Sequence, residues 1–363
     1  MKIAFLIDSL EARGGGEKVA YFFAKRYDVD IYTAHVSWDK ILPEFKRFRV
    51  HELGRGTSAP FLQQELMMRK FRGLDLSEYD VVVCHGPTYS TYAALNNHPS
   101  VLMVAGISPL FYKTGPDKYR YWPLGKPYLR PAVRLWAARL RRQDKQLIRQ
   151  IDAIVCISDY TRGIMKKYYG VDSTVIHPPI EARRYYNRKN KGYYLTVDRL
   201  IPEKRVDMVV EAFTRMPDKK LVVEGSGPEK ERLEMIAGDA KNITFVGRVD
   251  SKRLLNLYAN CIALINMGYY QDWSMVMIEA MASGKPGIGP RHGAYNEMID
   301  EGRTGTLIDE TVDGIIGGVT RITPEVAEKM KRACTLKASK CDEKIFYRKW
   351  DKLLHGLIEK RSR

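Results

Sequence analysis

Arg199 and Lys204 stand five residues apart in VDRLIPEKRVDMVVEAF (197–213), where an apolar run gives way to a helical pattern. Two cations at the end of a strand can clamp a diphosphate through charge-assisted hydrogen bonds. They can equally be two solvated surface charges. Glu279 is the second candidate, set in DWSMVMIEAMASGKPGIGP (272–290). A carboxylate in so apolar a helix needs partners if it is buried. The adjacent hydroxyls of a ribose would serve, and the helix N-terminus at Ser274, Met275 and Val276 offers free amides to phosphate. The plainer alternative puts Glu279 at a helix edge in water. Gly15 and Gly16, in LEARGGGEK (10–18), open a helix after the first strand. They suit an anion or sugar contact, or a tight turn. Gly225, in VVEGSGPEKERL (222–233), permits a turn beside a ligand or a simple chain reversal.

These residues need elements to place them. Buried strands are predicted for KIAFLI, VDIYTA, DVVVCHG, SVLMVAG and AIVCIS, with helical patterns between them. Such alternation builds a parallel, doubly wound sheet. Residues 177–192, HPPIEARRYYNRKNKG, read as a linker. After it come YYLTVDRL, KLVVEGSGP, ITFVGRV, CIALINM and GKPGIGP, a second doubly wound domain. The expected organisation is an N-terminal domain over 1–176, a C-terminal domain over 193–342, and a helix over 343–363 crossing back to the first domain. That helix carries Phe346, Trp350, Leu354 and Leu357 on one face. Two such domains imply a cleft, with ligands beyond the carboxyl ends of the strands.

With 363 residues, 45% apolar and 28% charged, the chain is expected to be globular and soluble. MKIAFLIDSL reads as a first strand rather than a secretory signal. The five scattered cysteines form no CxxC pair, which points to neither a zinc site nor a disulfide framework and suits a reducing cytoplasm. The net charge of +17 favours phosphate-bearing partners. Its excess is local: residues 111–150 hold eleven Lys and Arg, among them Arg139, Arg141 and Arg142, against Asp117 and Asp144. Trp122 and Trp136 share that segment, a combination that suits an anionic membrane surface better than nucleic acid, for which no recognition motif is present. A merely solvated basic face is the alternative.

Taken together, GGGE, DVVVCHGP, CISDYTRGIMKKYYG, VIHPPIE, YYLTVDRLIPEKRVDMVVEAF, VVEGSGP, NITFVGR, EAMASGKP and GAYNEMIDEGRTG resemble the retaining glycosyltransferases of family 4, near their O-antigen-type mannosyltransferases. The resemblance spans nearly the whole chain. It implies the α/β GT-B fold, with two Rossmann-like domains. It implies that Arg199 and Lys204 hold a donor diphosphate, that Glu279 binds the ribose, and that Gly15 and Gly16 face the donor from the other domain. Gly225, Arg248, Ser274, Met275 and Val276 fall on the donor side, His85, Ser108 and the three arginines on the acceptor or membrane side. No cofactor and no metal are implied, only a nucleotide sugar as substrate, with mannose from GDP-mannose the expected donor and a glycan or lipid-linked acceptor. The chain departs from the pattern twice. The first acid of the family's Glu-x7-Glu signature falls on Gln271, beside Asp272, and Ile107 in GISPLFY takes the place of a histidine. Both departures favour the second reading, a non-catalytic carbohydrate-binding protein with a degenerate site.

Overall fold

The computed structural model describes the chain apart from residues 12–13, 55–59, 87–88, 107–129, 270 and 362–363, and only the backbone of 60, 61, 64, 130–134 and 137. The chain divides into two compact units, Met1–Pro178 with Phe346–Arg363, and Pro179–Ile345.

The first unit is built on a seven-stranded parallel sheet. Its strands are β1 (Lys2–Leu10), β2 (Asp28–Val36), β3 (Arg49–Glu52), β4 (Val81–His85), β5 (Ser100–Val104), β6 (Ala153–Cys156) and β7 (Thr174–Val175). The order is β3-β2-β1-β4-β5-β6-β7. Helices α1 (Gly15–Arg26), α2 (Pro60–Arg72), α3 (Arg130–Ile148) and α4 (Asp159–Tyr169) connect them. Central strands covered on both faces must be apolar throughout, and Ile3, Ala4, Phe5 and Leu6 are fully buried, as are Val81, Val83 and Cys84. The order reverses at β1, which pairs with β2 on one side and with β4 on the other, Ile3 opposite Val81.

The second unit repeats the plan with β8 (Tyr193–Val197), β9 (Lys220–Glu224), β10 (Ile243–Gly247), β11 (Leu264–Ile265), β12 (Gly287–Pro290) and β13 (Gly305–Ile308). Their order is β10-β9-β8-β11-β12-β13, so the reversal lies between β8 and β11. The helices are α5 (Val206–Thr214), α6 (Lys230–Ala237), α7 (Ser251–Asn260), α8 (Met275–Ala282), α9 (Tyr295–Met298), α10 (Val312–Arg321) and α11 (Pro324–Ser339). The chain ends in α12 (Glu343–Arg361). From Phe346 onward that helix packs in the first unit. Phe346 and Trp350 meet Phe23 of α1 edge to face, with centroids 5.8 and 4.7 Å away. The Tyr27 hydroxyl donates to Asp351 at 2.8 Å.

Three strands escaped the sequence pattern: β3, β7 and β13. β3 is mostly exposed and polar, β7 has only two residues, and β13 has only Leu307 and Ile308 as an apolar pair, so none forms the apolar run that marks a buried strand. CIALINM contributes only Leu264 and Ile265 to the ladder. Pro202–Lys204 is not the first turn of α5 but a separate 3₁₀ turn, because Arg205 adopts left-handed backbone angles (φ 51°, ψ 36°) that interrupt the helix. Of residues 177–192, those from Pro179 on group with the second unit. Arg188 and Lys191 donate their amides to Ala259 and Asn260 at 3.0 and 2.8 Å.

Candidate functional site

The candidate site of the second unit gathers at the strand-order reversal, where β8 and β11 end side by side and doubly wound sheets take their ligands. Asp198 and Arg199 follow β8, and Asn266 follows β11. The next segment carries Gln271 and leads into α8. Lys204 reaches over this edge from the 3₁₀ turn. Its Nζ lies 3.1 Å from Asp198 Oδ1 and donates to Gln271 Oε1 at 3.1 Å. Gln271 donates to the carbonyl of Trp273. Gly268 leaves the space: a Cβ there would stand 2.9 Å from Gln271 Oε1. Arg199 is exposed, and its side chain makes no hydrogen bond or ion pair among the described residues. The two cations are thus prepared differently, one held and one open to solvent. Burial raises the Asp198 carboxyl above its ordinary value, and Lys204 opposes that shift. Asp272, beside Gln271, is pushed up to about 7 by burial.

Ser274 caps α8, its hydroxyl accepting the amide of Met277 at 3.4 Å. The amides of Met275 and Val276 belong to the first turn and have no carbonyl of their own helix to bond. Glu279 is 2% exposed and does not stand in water at a helix edge. The Tyr258 hydroxyl donates to its Oε2 at 2.8 Å, and Tyr185 hydrogen-bonds it as well. Both phenols are driven well above their ordinary value, by burial first and by Glu279 second, and so remain donors. Sequence reasoning foresaw that a buried Glu279 would need partners but did not find these two. They lie 94 and 21 residues away, on a turn and on α7.

Gly225 serves the backbone. At φ 134° a Cβ would fall 1.8 Å from the carbonyl oxygen of Asp198, so this turn must be glycine to pack beside the end of β8. Arg248 follows β10 with its side chain exposed; burial raises the Glu224 carboxyl above its ordinary value, and the Val249 amide and the Arg248 charge oppose that shift. Arg205 was not anticipated. Its guanidinium lies 4.2 Å above the Tyr269 ring and 3.4 Å from Glu310, while the Tyr269 amide bonds Glu203 O at 2.8 Å. These contacts fasten the segment that carries Gln271.

In the first unit the reversal between β1 and β4 holds a second cluster. Gly14 is the N-cap of α1, Gly15 is exposed on its first turn, and Gly16 lies against His85 at the end of β4. A Cβ on Gly16 would sit 2.9 Å from His85 Cε1. Burial lowers the His85 imidazole to about 4, leaving it neutral at neutral pH. Its Nε2 has no partner among the described residues. Ser108 and Ile107 lie outside the described residues. Arg139, Arg141 and Arg142 are exposed along α3, whose Leu140, Leu147 and Ile148 are buried. Trp136 packs partly against the core of the unit, and Trp122 lies outside the described residues.

Comparisons with known proteins find family matches for both halves of the chain. The model of Glycosyltransferase Family 4 matches residues 14–184, and that of Glycosyl transferases group 1 matches residues 180–333. A GDP-mannose-dependent alpha-mannosyltransferase of Corynebacterium glutamicum is 33% identical over 39% of this chain and 34% of its own length. A GDP-mannose-dependent alpha-(1-6)-phosphatidylinositol monomannoside mannosyltransferase of Mycolicibacterium smegmatis is 26% identical over 46% of this chain and 52% of its own length. The chain therefore spans about a third to a half of the length of these curated relatives. Among solved structures, HepE of Anabaena in complex with UDP and glucose superimposes with a TM-score of 0.74 at 16% identity, covering 98% of this chain and 100% of that one. Sucrose-phosphate synthase of Thermosynechococcus elongatus does so with a TM-score of 0.78 at 17% identity, covering 99% of each. With two doubly wound sheets, a separate family model matching each half and structural likeness along the whole length, the chain belongs to the family 4 glycosyltransferases of the GT-B fold.

Proposed function

We propose that the protein is a retaining hexosyltransferase that moves mannose from GDP-mannose to a glycan or lipid-linked acceptor. The observation that carries this is the charge arrangement beyond β8 and β11. Lys204 is held by Asp198 and Gln271, Arg199 is open, and Asp198 is linked through Asn266 to Ser274, the N-cap of α8. That set suits a diphosphate leaving an oxocarbenium-like centre, whose growing charge the cations and amides would stabilise. An ammonium has three N–H groups, and two are engaged by protein, so one is left for a phosphate oxygen. Glu279, fixed by Tyr258 and Tyr185, has further acceptor capacity for a ribose diol. The GDP-mannose dependence of relatives supports the donor assignment. In this reading Arg199 and Lys204 do the work of a metal, the leaving phosphate accepts the acceptor's proton, and the first unit holds the acceptor, with His85 at the end of β4 on the acceptor side and Gly15 and Gly16, at the start of α1, assigned to the donor.

A panel of nucleotide sugars tests the donor. GDP-mannose at a hundredfold excess over Kd should stabilise the fold by about 2.7 kcal/mol, and transfer should persist in EDTA. Stabilisation by every nucleotide sugar alike would overturn the donor assignment. Binding without transfer or hydrolysis would favour the non-catalytic reading, to which the uncharged Gln271 points.

A further inference from the structure

Asp198 is the first residue beyond β8, and Asn266 the first beyond β11. Asn266 Nδ2 donates to Asp198 Oδ2, while Asp198 Oδ1 lies 3.1 Å from Lys204 Nζ. On its other side Asn266 Oδ1 accepts from Ser274 Oγ at 3.0 Å and from the Tyr295 hydroxyl. Ser274 Oγ in turn accepts the Met277 amide. One hydrogen-bonded chain therefore runs from the lysine to the cap of α8. Its middle is inaccessible, with Asn266, Ser274 and Tyr295 at 1%, 2% and 0% exposure. The polarity of the chain is fixed. Asp198 must accept at both oxygens, and Asn266 must donate to it with one arm and accept with the other.

We propose that Asp198 and Asn266 are positioning residues that tie Lys204 to the N-terminus of α8, so that the ammonium and the helix amides meet a diphosphate as one preset site. The inference rests on reading this edge as the donor diphosphate site. Neither residue bonds the anion in this scheme; each acts through a group that does. A lysine stem is long and flexible, and fixing it before the ligand arrives removes an ordering cost from binding. The Asp198 carboxylate also compensates a cation that burial would otherwise penalise. The chain joins two elements 68 residues apart and does so at the strand-order reversal, where both approach one ligand.

The pair can be tested by exchanging its polarity. Asp198→Asn places an amide donor against either Lys204 or Asn266, which are donors themselves. Asn266→Asp sets one carboxylate against another. In the double variant the amide at 198 accepts from Lys204 and donates to the carboxylate at 266, which still accepts from Ser274 and Tyr295. Titration calorimetry with GDP, and with UDP in parallel, reads Kd separately from the fraction of folded protein, which enters as stoichiometry. Each single variant should weaken Kd at least tenfold at unchanged stoichiometry, and the double variant should return to within threefold of wild type or bind more tightly. Wild-type Kd in the singles, or a double no better than the weaker single, would overturn the proposal. Should the singles fail to fold, the double variant against wild type decides it. Lys204→Ala separates the levels. If it leaves Kd unchanged, the donor-site reading fails; if it weakens Kd while Asp198→Asn does not, the positioning role alone fails.

Discussion

At the scale of single residues, the two cations of the edge differ in what their removal should do. The Arg199 side chain is exposed and makes no hydrogen bond or ion pair among the described residues, so Arg199→Ala should leave the thermal midpoint nearly unchanged. It should nevertheless weaken GDP binding by about 1.5–3 kcal/mol, the usual value of a hydrogen bond to a charged group. Calorimetry alongside a melting curve checks both halves, and unchanged affinity would remove Arg199 from the clamp. Asp272 makes a prediction about pH. Its carboxyl sits at about 7 in the folded chain because burial disfavours the charge. An unfolded aspartate titrates near 4, so between roughly pH 4 and 7 the native state binds the extra proton. Stability from this group is therefore complete at acid pH and is lost as pH rises through about 7. Asp272→Asn should flatten that slope in a series of melting curves from pH 5 to 8, and a slope identical to wild type would show that Asp272 is not its source.

At the scale of elements, α8 does two jobs with one sequence. Met277, Ile278, Ala280 and Met281 bury it, which keeps water from its sides and leaves its N-terminus as the polar end. Glu279 is tolerated inside because α7 brings the Tyr258 hydroxyl to it and Tyr185 adds a second. Ser274 both caps the helix and extends the hydrogen-bonded chain to Asn266. Ser274→Ala should thus cost about 0.5–2 kcal/mol of stability through the lost cap, read from the urea midpoint. A shift much below that range would mean that the hydroxyl does not hold the helix end. The glycines divide by the same logic. Gly225 and Gly16 are required where another backbone or ring comes within the space of a Cβ, which is packing first and ligand access second.

At the scale of the whole molecule, charge separates from shape. The described part of α3 turns Leu140, Leu147 and Ile148 inward with Asp144, which accepts from the Tyr169 hydroxyl. Arg139, Arg141, Arg142, Lys145 and Arg149 are turned out. No helix among the described residues is long and apolar enough to cross a membrane. A solvated cationic face remains suited to anionic head groups, each Lys or Arg near such a surface contributing about 1 kcal/mol and less in high salt. The protein should sediment with vesicles rich in phosphatidylserine and be released by salt. Replacing Arg139, Arg141 and Arg142 by Glu should abolish this while GDP affinity stays unchanged. Equal, salt-insensitive behaviour with neutral vesicles would favour a soluble acceptor.

The sequence by itself determined the alternation of strand and helix, because a buried parallel strand must be apolar along its length and an amphipathic helix must repeat every three to four residues. Both are local facts, visible in KIAFLI or in the spacing of Phe346, Trp350 and Leu354. It also singled out Arg199 and Lys204, conspicuous just beyond an apolar run, and Glu279, conspicuous inside one. The tertiary structure alone decided what those charges touch. Lys204 meets Asp198 from its own strand end but Gln271 from 67 residues on, and Asn266 reaches Asp198 across 68. Such partners are chosen by which strands lie side by side at the order reversal, a consequence of winding the sheet both ways from β8. Periodicity carries no record of that choice, because it describes each segment against an undirected core. Hydrogen bonds between side chains depend instead on which two segments the fold brings to the same edge.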